Sequence, residues 1–149
     1  MLSAMCHKYD MQHKKFSTFD LSKGWNIPRS SIQQYIDRGL IRPSLGTARG
    51  KGTRNKFSLA DVYRFRLFQK LHEAGLSQKE ASENANHIDF AEVVTSFDWG
   101  LIMPEKNSKT ITVCDEEKLH QFMHEWRGVL FIAINLSKIK EEVDKKLNG

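Results

Sequence analysis

A serine, two residues, then an acid: this spacing occurs at Ser17 to Asp20, Ser58 to Asp61 and Ser77 to Glu80, each time at the head of a segment. In such a capping box the serine oxygen accepts an orphan backbone N–H of the first helical turn, and the acid reaches back to the cap. The spacing therefore predicts three helix starts. A fourth helix, between the first two, is predicted by Pro28, by Ile32, Tyr35 and Ile36 at helical spacing, and by Gly39 as a stop. The helix opened by Ser58 carries Val62, Phe65, Phe68 and Leu71 on one stripe and ends at Gly75, a stripe that reads as core.

The pattern changes after about residue 88. Trp99 to Met103 and Thr110 to Cys114 read as two strands around the turn PEKNSK, the second alternating Ile111 and Val113 with threonines. Asp115 can cap a helix bearing Leu119, Phe122, Met123 and Trp126 and ending at Gly128. VLFIAINL then reads as a buried strand, and Ser137 onward as an amphipathic helix with Ile139, Val143 and Leu147. Phe90 to Phe97 fits strand and helix equally. The expected class is α+β: a tail over 1–15, a mostly helical domain over 16–86, and a small ββαβα unit over 87–149.

Charge narrows the function. From Arg38 to Ala60 stand six basic residues (Arg38, Arg42, Arg49, Lys51, Arg54, Lys56) and no acid; taking those six from the net charge of +5 leaves −1 for the rest. A basic block in an otherwise balanced chain is the footprint of a polyanion contact, or else a solvated loop. Its core, GTARGKGTRNKFS from Gly46 to Ser58, lacks the spacing of a nucleotide-phosphate cradle: Leu45 stands where the first glycine belongs and Gly52 where a hydroxyl belongs.

Two short helices joined by the tight KGWNIP connection, then a Gly-rich basic loop and a longer helix, make a helix-turn-helix arrangement, whose second helix enters the DNA major groove. That helix, PRSSIQQYIDRG, turns Arg29, Ser30, Gln33, Gln34 and Arg38 outward, none of them negative. Gln pairs bidentately with adenine and Arg with guanine, while Ser and Tyr hydroxyls serve phosphates.

From Phe16 to about Ala81 the ordered features resemble the winged helix-turn-helix domain of the MerR family of transcription regulators. They are Phe16, Leu21, the Tyr35 to Gly39-Leu40-Ile41 exit, a basic wing, Phe57-Ser58 before Asp61-Val62, and Leu71 with Gly75-Leu76-Ser77. The resemblance implies that the recognition helix reads bases, that its tyrosine and the wing arginines hold phosphates, and that a dimer binds an operator. The residues in those roles would be Arg29, Ser30, Gln33, Tyr35, Arg49 and Arg54. The charge of the loop itself adds Lys51 and Lys56 as phosphate contacts beside Arg49 and Arg54. The chain departs from the family pattern in having Gln33-Gln34 where arginine and tyrosine are usual. It departs again in lacking a single long dimerisation helix after the head.

The expected partners are double-stranded DNA, a second copy of the chain, and an effector or protein at 87–149. Alternatives are an excisionase-type architectural factor and an antitoxin-like interaction module. His120 and His124 share one helix face near Cys114, but three well-placed ligands for a metal are not evident, and the two histidines read as flanking surface. Neither a cofactor nor a metal is expected, and no catalytic constellation stands out, so the chain reads as no enzyme. Two cysteines make no disulfide framework. No signal peptide is evident, and the longest apolar run falls far short of the roughly 18 to 20 residues of a membrane span, so a cytoplasmic protein is expected.

Overall fold

A computed structural model describes residues 13–90, 99–102, 110–125 and 131–148. The elements run α1 (Thr18–Trp25), α2 (Arg29–Asp37), α3 (Leu59–Glu73), α4 (Gln78–Asn86), β1 (Trp99–Ile102), β2 (Thr112–Cys114), α5 (Glu116–Glu125), β3 (Ile132–Asn135) and α6 (Leu136–Asn148). The class is α+β, and the order after α4 is ββαβα. Two compact units divide inside α3, as Met1–Phe65 and Arg66–Gly149. The expected tail lies outside the described residues as far as residue 12. So do most of Phe90 to Phe97, Met103 with the PEKNSK turn, and Trp126 to Leu130.

All three serine caps form. Ser17 and Asp20 exchange bonds at α1, as do Ser77 and Glu80 at α4. At α3 the Ser58 N–H donates to Asp61 Oδ2 at 2.9 Å while the Asp61 N–H donates to Ser58 Oγ at 3.2 Å. Each of these caps satisfies donors that the first turn would otherwise leave open. Loss of a cap costs about 1 kcal/mol.

The first unit buries Phe16, Leu21, Ile32, Leu40, Ile41, Phe57, Val62, Tyr63 and Phe65. Phe16 and Phe57 pair as a short antiparallel bridge, each N–H donating to the other's carbonyl at 2.8 and 2.7 Å. Trp25 and Phe65 pack edge to face, their ring centroids 6.0 Å apart and their planes at 77°, which fixes the end of α1. The stripe expected on α3 proves too narrow. Asp61, Tyr63 and Leu67 are buried along with Val62, Phe65, Phe68 and Leu71, because this helix contributes to the core of both units.

In the second unit β1 lies between β2 and β3, antiparallel to both, with Leu101 opposite Thr112 on one side and Ala133 on the other. Gly100 permits the close packing here: a Cβ at this position would meet Ile111 Cδ1 at 2.5 Å. The Ile111 N–H donates at 2.7 Å to the buried Asn84, whose amide N–H donates back to the Glu80 carbonyl of α4 at 2.8 Å. Arg66 of α3 holds Glu142 of α6 with two nitrogens on one carboxylate oxygen, at 3.1 and 2.9 Å.

Two burial expectations need correction. Met123 is 50% exposed, because Leu119 and Phe122 occupy the narrow seat that short strands offer with Leu101 and Cys114. Ile132–Asn135 is a half-buried strand with Ala133 exposed, not a fully buried one, and it lies at the edge of the sheet that the described strands form.

Cys114 is buried in that cluster, and its thiol is pushed up by desolvation, then by Asp115, with Lys118 acting the other way. A raised thiol holds less reactive thiolate at neutral pH than a free one. In a Cys6→Ser variant, alkylation of Cys114 at pH 7.5 should be slow until denaturant is added. Rapid labelling of the native protein would refute the burial.

Candidate nucleic-acid interface

The turn between α1 and α2 is short because Asn26 adopts a left-handed conformation, φ 52°, which asparagine tolerates better than most residues. Its N–H donates to the Ser22 carbonyl, as does that of Ile27 at 3.1 Å, and Ser22 Oγ donates to the Ile27 carbonyl at 2.6 Å. Pro28 stands just before α2, and its carbonyl accepts from Ser31 and Ile32. At the other end Gly39, φ 71°, lets the Leu40 N–H fold back on the Tyr35 carbonyl at 2.8 Å. Ile32 is thereby held in the core while Arg29, Ser30, Gln33, Gln34 and Arg38 stay exposed; Tyr35 is half-buried.

The wing is a small ribbon closed where Gly46 pairs with Lys56, the Lys56 N–H donating to the Gly46 carbonyl at 2.8 Å. At its tip Thr53 Oγ donates to the Gly50 carbonyl at 2.8 Å and accepts from the Arg49 N–H at 2.7 Å. Gly50 and Gly52 supply the positive φ values, 109° and 87°, that this tight turn requires. Along the returning arm Arg54 and Lys56 are exposed while Asn55 and Phe57 are buried. Arg49 and Lys51 are exposed as well, so all four wing cations face solvent.

Two buried polar residues hold this arrangement. Asn55, 5% exposed, accepts from the Ala48 N–H at 2.9 Å and donates to Gln33 Oε1 at 3.2 Å and to Thr18 Oγ at 3.4 Å. One amide thus joins α1, α2 and the two arms of the wing. Asp61 holds the wing's base: its Oδ2 accepts from Ser44 N–H at 2.9 Å, Ser44 Oγ at 2.5 Å and Ser58 N–H.

Between these elements runs a groove of about 760 Å³, lined in part by Thr18, Phe19, Arg29, Ser30, Gln33 and Arg54. It brings together the expected Arg29, Ser30, Gln33 and Arg54. Gln34, Tyr35, Arg38, Arg49, Lys51 and Lys56 lie outside its lining, on α2 and the wing. Gln33 is further tied by its own Nε2, which donates to Asp37 Oδ1 at 2.8 Å. Sequence reading did not single out Thr18, Phe19, Thr53 or Asn55. For Asn55 a signal existed, since Arg54, Asn55, Lys56, Phe57 alternate as an extended ribbon does.

Residues 16–87 match the model of the MerR HTH family regulatory protein, a span running from the Phe16 bridge through α4. These residues belong to the MerR HTH family. No curated protein matches the chain. The MerR-family head therefore takes in α1, α2, the wing, α3 and α4, and covers just under half of the sequence. Elsewhere, among the described residues, no group of three or more His, Cys, Asp or Glu side chains is placed to hold a metal. His120 and His124 are exposed on α5 while Cys114 is buried. No helix among the described residues is long and apolar enough to cross a membrane.

Proposed function

We propose that the MerR-family head binds duplex DNA sequence-dependently to regulate transcription. In this reading α2 lies in the major groove, and Arg49, Lys51, Arg54 and Lys56 hold phosphates along the backbone. Arg29, Ser30, Gln33 and Gln34 face the bases or support those that do, and Tyr35 and Arg38 reach the backbone. The observation that carries the reading is the convergence of the outward face of α2 and the wing on a single groove with exposed cations on both.

Residues 87–149, which belong to the second compact unit, join two copies of the chain or take an effector. The head alone offers little surface, and two half-sites supply the usual affinity of dimeric regulators. Antiparallel edge strand β3 and helix α6 are the elements such a contact would use.

Binding of the full chain to a random-sequence duplex should fall steeply between about 50 and 200 mM salt. Each phosphate contact contributes roughly −0.9 to the slope of log K against log salt, so the four wing cations alone give about −3.6. A flat response would sink the reading. Sedimentation at micromolar concentration should show a dimer, and a monomer both free and DNA-bound would remove the joining role of residues 87–149.

A further inference from the structure

Phe19 sits in the first turn of α1 and remains 49% exposed, although Leu21 two residues on is fully buried. Its ring carries the guanidinium of Arg29, whose central carbon lies 4.6 Å from the ring centroid. No hydrogen-bond or ion-pair partner of Arg29 is present among the described residues, so its planar fork of donors is open on the edges away from the ring. Both side chains line the groove beside α2. Gln33, the neighbouring base-reading candidate on that helix, has its amide nitrogen on Asp37 and its oxygen on Asn55. It serves as a brace between α2 and the wing.

We infer that the Phe19–Arg29 stack is the head's sequence-reading element, selecting a guanine whose neighbouring base pair contains thymine. This rests on the proposed DNA-binding function and extends it to the residues that set specificity. An arginine that is bidentate to guanine O6 and N7 lies in the plane of that base pair. The Phe19 ring, whose centroid lies 4.6 Å from the guanidinium carbon, then sits near the level of the adjacent pair, which is one base-pair rise of about 3.4 Å away. The apolar group displayed there in the major groove is the thymine C5-methyl, a natural contact for a phenylalanine edge. Stacking also holds the guanidinium in place before DNA arrives, so less side-chain freedom is lost on binding. Phe19 therefore does two things: it aims Arg29 and it meets the methyl.

The test begins with selection from a random duplex pool by the full chain, followed by base analogues in the enriched sequence. The enriched motif should contain guanine beside a thymine-containing pair. Replacing that guanine with 7-deazaguanine, which lacks the N7 acceptor, should weaken wild-type binding about tenfold, within the range for loss of a bidentate contact. The same analogue should leave Arg29→Ala unaffected. Replacing the thymine with uracil should cost about fourfold, the worth of one buried methyl. Phe19→Ala, which removes a half-exposed side chain and should melt like the wild type, should not distinguish thymine from uracil. An equal uracil penalty in Phe19→Ala and wild type overturns the inference, as does an enriched motif without the guanine–thymine neighbours. If either occurs while the salt slope stays steep, the DNA-binding reading stands and only the stack's role falls. If the wild type shows no salt-dependent duplex binding, both fall.

Discussion

Alanine at Arg49, Lys51, Arg54 and Lys56 together should lower affinity for every duplex, whatever its sequence, by on the order of 10³ near physiological salt. Each phosphate contact releases condensed counterions, and at about 0.15 M salt the gain per contact is roughly fivefold, which compounds over four. The slope against salt should flatten by about 3.6 in the same experiment. Folding should survive the change. All four side chains are exposed, and the ribbon is tied by Thr53 at its tip, by the Asn55 amide and by the backbone pairing of Gly46 with Lys56. Exposed substitutions of this kind usually stay within about 0.5 kcal/mol, so an unchanged melting curve is expected. Fluorescence anisotropy across a salt series measures both quantities. Unchanged affinity with an unchanged slope would mean that the wing carries no phosphate contact, and the basic block would revert to a solvated loop.

The parts of this chain that were legible in the sequence are those whose physics is local. A serine cap is satisfied within one helical turn by an acid three residues away, so Ser17, Ser58 and Ser77 announced their helices without any knowledge of the rest of the fold. The strand pair around Gly100 was likewise readable, because alternation of β-branched residues at Thr110 to Cys114 is a property of the segment itself. What was not legible depends on distant partners. Asn55 takes its role from Ala48, Gln33 and Thr18, which stand 7, 22 and 37 residues away. Phe19 reads as one more aromatic in a helix until Arg29 is found over its ring. Periodicity names a face but not the width of its seat, which is why Met123 was placed in the core and is half exposed. It also missed the burial of Tyr63 and Leu67, because a helix shared by two units buries more than one stripe. In the candidate site, the charges of the wing were plain, but their alternation with the buried Asn55 and Phe57 was the more informative pattern.

Asp61→Ala should destabilise the protein by about 3 kcal/mol, more than the loss of an ordinary helix cap, because one buried carboxylate serves three donors. Hydrogen bonds to a charged group contribute about 1.5–3 kcal/mol each, and open backbone donors carry their own desolvation penalty. Ser44 and Ser58 would both lose the partner of a backbone N–H, although their partial exposure lets water recover some of the cost. Asp61→Asn separates geometry from charge. All three donors converge on one oxygen, Oδ2, so an amide can present its carbonyl there and turn its nitrogen toward Arg64, which lies 3.8 Å from the other oxygen. The asparagine variant should therefore lose only about 1 kcal/mol, the difference between charge-assisted and neutral bonds. Thermal melts of the two variants check the ranking, and equal losses would show that charge, not the shared acceptor, holds the wing's base. DNA affinity gives a second and independent sign. Removing a negative charge should by Coulomb attraction alone tighten binding to a polyanion. If Asp61 positions the wing through Ser44, Asp61→Ala should instead weaken binding at a temperature where the variant is folded, while the salt slope stays near that of the wild type because the four wing cations are still present. Loss of affinity with the slope retained marks a positioning role, and loss of affinity with the slope flattened marks a lost phosphate contact.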